Sequence, residues 1–116
     1  MDLTERALEC LRPALPKGSR LAVFGSHARG DASGDSDIDL LVLEPEVADR
    51  YAEMARLSRL LGRQLIPADV VVMSTDTFEL QRGVVNSLAW RIVQEGQWHD
   101  LSAPVCAPET LVEGEA

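Results

Sequence analysis

Three short apolar runs set the pattern of this chain, at Leu21 to Phe24, Asp37 to Leu43 and Pro67 to Met73. Near-continuous runs of this length, bounded by glycine, proline or acids and rich in branched side chains, predict strands buried within a sheet. Around them the spacing turns helical. Leu3, Ala7, Leu8 and Leu11 form a stripe behind Asp2-Leu3-Thr4-Glu5, which has the form of a capping box, so a helix is predicted to open the chain and stop near Pro13. Pro16-Lys17-Gly18 then turns into the first strand. Val47, Tyr51, Met54, Leu57 and Leu61 predict a helix over residues 46–61 that crosses between the second and third strands, with Arg50, Glu53, Arg56 and Arg59 largely outside the stripe. Residues 75–95 predict a helix broken at Gly83, with Val85, Leu88, Ala89 and Ile92 facing inward and Gly96 ending it. Trp98 falls in a short last strand. The expected fold class is α/β (α+β), a small mixed β-sheet flanked by helices.

The polar residues that interrupt this pattern carry the chemistry. The first strand stops at Gly25-Ser26, where glycine lets the backbone turn sharply and approach a ligand, and Ser26 adds a hydroxyl and an N–H. A helix beginning just after Ser26 would aim unpaired N–H groups and its positive dipole end at the same spot, which suits a triphosphate. The spacing is that of neither a P-loop nor a dinucleotide fingerprint. Ten residues later, Asp37-Ile38-Asp39 opens the second strand. Side chains two apart on a strand share a face, and two neighbouring carboxylates repel unless a divalent cation lies between them. Oxygen-only ligands at the mouth of a phosphate loop suit magnesium. Gly-Ser alone is an ordinary turn and Asp-x-Asp alone a solvated strand end; their conjunction at two adjacent strands points to a phosphate and metal site. Asp31 and Asp35 read as turn residues of the loop.

Gly25-Ser26-His27-Ala28-Arg29-Gly30, followed by Ser36-Asp37-Ile38-Asp39-Leu40, resembles the nucleotidyltransferase superfamily of the DNA polymerase β type, and within it the small MNT domains, the minimal nucleotidyltransferases of bacteria and archaea. Many of those act as antitoxins beside HEPN-domain ribonuclease toxins. The motif-bearing resemblance runs over residues 21–73 and continues more loosely to about His99. It implies a nucleotidyltransferase fold and a third acid on the next core strand, and Asp69 fits, an acid near the start of a β-branched run where water exposure at a strand end is the alternative. By the same resemblance Asp37, Asp39 and Asp69 hold Mg2+ and carry catalysis, with Asp69 as base, while Gly25 and Ser26 grip the nucleotide. Arg29 either donates to a phosphate oxygen or pairs with Asp31 in solvent. The implied donor is ATP, and the implied acceptor is a tyrosine hydroxyl on a cognate HEPN toxin, silenced by AMPylation within a hetero-oligomer. Two other readings remain open: neutralisation by binding alone, and a small-molecule nucleotidyltransferase that works with a partner subunit.

Composition narrows the choice. At 116 residues, 46% apolar and 26% charged, the chain fits one core, expected over residues 1–100. Residues 101–116, with Pro104, Pro108, Glu109, Glu113 and Glu115, read as a mobile acidic tail. A net charge of −8 with only 11 basic residues argues against a nucleic-acid surface, because phosphate backbones are bound through Lys and Arg. No apolar run reaches membrane-spanning length and no secretion signal pattern opens the chain, so a cytoplasmic protein is expected. Cys10 and Cys106 suit neither a disulfide framework nor a metal knuckle and are expected to be reduced, and His27 and His99 lack ligand partners at zinc-like spacing.

Overall fold

The computed structural model describes residues 3–25, 28, 30 and 37–100. Asp2 of the predicted capping box, Cys106 and the whole of 101–116 lie outside them. The order is α1 (Leu3–Leu11), a 3-10 turn (Arg12–Ala14), β1 (Arg20–Phe24), β2 (Ile38–Glu44), α2 (Arg50–Arg63), β3 (Ala68–Ser74), α3 (Thr75–Gln81), α4 (Leu88–Glu95) and β4 (Gln97–Asp100). The strands form one mixed sheet in the order β3-β2-β1-β4. β1 pairs antiparallel with both β2 and β4, and β2 pairs parallel with β3. A parallel pair needs a crossover rather than a tight hairpin, and α2 supplies it, as its stripe predicts.

Alternation along the strands splits the core in two. Leu21, Val23, Ile38, Leu40, Val42, Val70 and Val72 face α1 and α2, meeting Ala7, Leu8, Leu11, Leu57 and Leu61. Ala22, Leu41, Leu43 and Met73 face the other way, against Phe78, Ala89 and Ile92 of α3 and α4. Strands buried on both faces read as continuous apolar runs, which is why they stand out in the sequence.

Helix boundaries follow capping rather than the apolar stripe. Asp49 Oδ1 accepts from the N–H groups of Tyr51 and Ala52 at 3.1 Å each, so α2 opens at Arg50 and Val47 packs on the core from outside the helix. Tyr51, predicted to face inward, is 72% exposed in the first turn. The break expected at Gly83 divides residues 75–95 into two helices, with Gly83 in the turn between them. Ser74 caps α3 by accepting from Thr77 N, and Ser87 caps α4 by accepting from Trp90 N. Val85 therefore sits in the connecting turn, 66% exposed, rather than on an inner face.

α2 ends in a Schellman motif. Ile66 N donates to Leu61 O and Leu65 N to Gly62 O, both at 3.0 Å, and Leu65 takes the left-handed position with φ +58°. Glycine is the usual residue there, because a side chain in that conformation meets the following carbonyl. Leu65 is also 83% exposed.

At the far end of β2, Glu44 is 4% exposed and packs against Glu53 of α2. Burial, then the hydrogen bond with Glu53, pushes the Glu44 carboxyl up to about 8. Glu53 is pulled down to about 2, first by Arg56, whose Nε and a terminal nitrogen donate to its two oxygens at 2.9 and 2.6 Å, then by Glu44. Arg56 also donates to Ala14 O at 3.0 Å, which ties α2 to the 3-10 turn. Physically, Glu44 keeps its proton and shares it with an ionised Glu53.

Two predictions follow from these local features. Leu65→Gly relieves the left-handed strain at some cost in chain entropy and should stabilise the fold by about 0.5–1 kcal/mol in denaturant unfolding. Glu44 holds its proton in the folded state but loses it near its ordinary value of 4.5 when unfolded, so stability should fall as pH rises from 4.5 through about 8. Glu44→Gln, neutral at every pH, should flatten that decline in Tm measured across the same window.

Candidate active site

β1 ends and β2 and β3 begin at one edge of the sheet, and the register puts acids there. Phe24 faces Asp39 across the β1–β2 pair, and Asp39 faces Asp69 across the parallel β2–β3 pair. Register partners on neighbouring strands stand about 4.8 Å apart and send their side chains to the same face. Counting back by twos from Leu41 and from Val71, both acids lie on the face of the α3/α4 core, beyond its covered end. Asp39 is half-buried and Asp69 is exposed. Ile38 N donates to Pro67 O at 3.0 Å, which pins the start of β2 to the lead-in of β3. Asp37 does not share the strand as expected. It lies one residue before β2 and is exposed, because the ladder begins at Ile38.

Gly25 closes against this pair. It has φ +74°, and a Cβ placed on it would run into Asp39 Oδ2 and come within 3.2 Å of Asp39 Cγ. Glycine is therefore needed twice over, for backbone conformation and for close approach to a carboxylate. Beyond it, Ala28 packs against the α1/α2 core and Gly30 is again left-handed at φ +81°. Ser26, His27, Arg29, Asp31 and Asp35 lie outside the described residues. The sequence reading missed Gln97, whose Nε2 donates to Ala28 O at 3.1 Å from the first position of β4. Nothing in the sequence marks that residue, since the contact depends on β4 pairing beside β1.

No group of three or more His, Cys, Asp and Glu is gathered for a metal among the described residues. Two adjacent carboxylates are nevertheless what magnesium takes from a protein when substrate phosphates complete its shell, so the Asp39 and Asp69 donor set fits that ion. Among the described residues, no helix is long and apolar enough to cross a membrane. Cys10 is a free thiol that donates to Leu60 O at 3.5 Å, and burial pushes its pKa up.

Comparison with known proteins bears on the fold. The family model described as nucleotidyltransferase domain matches residues 5–99. No curated protein sequence matches significantly. Among solved structures, the chain is similar to one in a toxin–antitoxin crystal structure with AMP-PNP, at 24% identity and TM-score 0.60, covering 84% of this chain and 72% of that one. It is similar to a Sulfolobus solfataricus protein assigned as a nucleotidyltransferase, at 25% identity and TM-score 0.53, covering 67% and 69%. It is also similar to a chain in the complex of a tri-AMPylated Shewanella oneidensis HEPN toxin with its MNT antitoxin, at 23% identity and TM-score 0.55, covering 83% and 67%. The mixed sheet flanked by helices is the expected fold, and with 5–99 matched by the family model the chain belongs to the nucleotidyltransferase domain family.

Proposed function

We propose that the chain is a magnesium-dependent nucleotidyltransferase of the MNT type, which moves AMP from ATP to a tyrosine hydroxyl of a cognate HEPN ribonuclease toxin in the cytoplasm. The observation that carries this reading is the placement of Asp39 beside Asp69 in register, with Gly25 closed against Asp39. Support for the donor and the acceptor comes from two of the similar structures, one of a toxin–antitoxin with AMP-PNP and one of an AMPylated HEPN toxin bound to an MNT antitoxin. The catalytic unit is residues 1–100, the acidic segment 101–116 is a tail, and the working form is a hetero-oligomer with the toxin.

In this reading Gly25, Ser26 and Arg29 bind the triphosphate at the end of β1, where Gly25 makes room for the Asp39 carboxylate. The acceptor oxygen attacks the α-phosphorus in line and forms a new O–P bond. The bond from the α-phosphorus to the bridging oxygen breaks, and pyrophosphate leaves with that electron pair. Asp69 takes the proton of the attacking hydroxyl, a role open to it because it is exposed at the edge where an acceptor would arrive. Asp37, Asp39 and Asp69 would hold magnesium, which when bound offsets charge on the attacking and leaving oxygens. The product is an adenylylated tyrosine whose phosphodiester adds negative charge to the toxin.

Incubation with labelled ATP, magnesium and the product of the neighbouring gene tests this. Wild type should label that protein, and Asp37→Ala/Asp39→Ala should not; a double variant that protects cells from the neighbour as well as wild type does would sink the enzymatic reading. Asp69→Asn should slow label transfer by about a hundredfold or more, as removal of a general base does. Gly25→Ala should cost a comparable factor, because the new methyl displaces the Asp39 carboxylate and a misplacement of about 1 Å is enough for that. Circular dichroism should show Gly25→Ala still folded.

A further inference from the structure

Leu65 bears two penalties at once. It holds a left-handed backbone position that glycine would fill without strain, at φ +58°, and it leaves its side chain 83% exposed. A bulky residue in that conformation is an outlier, and such outliers concentrate at binding sites. Beside it, a groove of about 550 Å³ runs between α1 and the last turn of α2, lined by Arg6, Glu9, Cys10, Arg63, Gln64 and their apolar neighbours. Arg6 is anchored there by donating to Gln64 O at 2.7 Å. Glu9 lies 3.8 Å from Arg12, outside the lining, so its charge is partly shared away from the groove. The groove therefore carries positive charge on a chain whose net charge is −8.

We propose that Leu65 and the Arg6/Arg63 groove form the docking surface for the acceptor protein, through a segment that offers an apolar recess to Leu65 and carboxylates to the two arginines. This rests on the reading above only for the identity of the acceptor. The place is apt. Asp69 is four steps along the chain from Leu65, a reach of at most about 14 Å, so a partner gripped at Leu65 holds its chain within range of the acidic edge. Charge complementarity selects the occupant: on an acidic protein a local cationic groove attracts acidic segments, and salt weakens that attraction. An exposed leucine that becomes fully buried in a partner's recess contributes about tenfold or more in affinity through that burial alone.

The test is binding of the purified neighbouring gene product to the full chain, followed by calorimetry at low and high salt, with label transfer and ATP binding measured separately. Leu65→Gly, Leu65→Asp and Arg6→Glu/Arg63→Glu should each weaken binding about tenfold or more while ATP binding is unchanged. Leu65→Gly is the decisive variant, because a purely structural role would raise Tm and leave affinity alone, whereas docking predicts higher Tm with weaker binding. Wild-type affinity in all three variants, or no binding by wild type, overturns the docking surface. Tight binding that these variants abolish, with no label transferred by wild type, leaves the surface standing and refutes adenylyl transfer instead.

Discussion

The parallel pairing of β2 with β3 is the constraint on which the rest depends. Its register sets Asp39 beside Asp69 and Leu40, Leu41 and Val42 beside Val70, Val71 and Val72. A slip of one residue would turn every β3 side chain to the opposite face, driving Asp69 toward the α1/α2 core and its valines out of their clusters. Burial on both sides therefore enforces the placement of the acids. The crossover reinforces it from the other direction. Where α2 stops decides which residue of β3 meets Asp39, and that stop is the Schellman turn at Leu65, followed by the Ile38 N to Pro67 O bond.

The two ends of β2 treat paired carboxyls in opposite ways. At Glu44 the pair is buried, so one member keeps a proton and hands it to a partner that Arg56 keeps ionised. At Asp39 the neighbour is an exposed acid at an open edge, where water and an incoming cation can both reach it. Five steps along one strand separate these environments, about 17 Å. The difference lies in depth below the covering helices rather than in residue type: Asp39 is half-buried at the sheet's end, while the Glu44 end braces α2 against β2 and the 3-10 turn.

Much of this was legible in the sequence, for identifiable reasons. The strands read clearly because burial on two faces removes polar alternation, and Gly25, Asp39 and Asp69 stood out as polar or flexible residues at the ends of such runs. Helix limits were less legible. Asp49, Ser74 and Ser87 start helices through side-chain bonds to one or two backbone N–H groups, while an apolar stripe runs on past them and takes in Val47, Tyr51 and Val85. The pattern extends the strand to Asp37, because the ladder's first hydrogen bond has no signature in sequence. Gln97 and Leu65 had no signal at all: one acts through a pairing 69 residues away, and the other is an ordinary leucine whose backbone angle alone sets it apart.

The sheet order carries a last consequence. Among the described residues β3 is an outer strand, so the acidic edge is walled by Gly25 and β1 on one side and has no further strand on the other. Nucleotidyl transfer needs a donor held from one direction and an acceptor oxygen presented in line from the opposite one. An acceptor that arrives on the outer side of β3 passes the turn that joins it to α2. The strained and exposed Leu65 stands in that turn, four positions before Asp69.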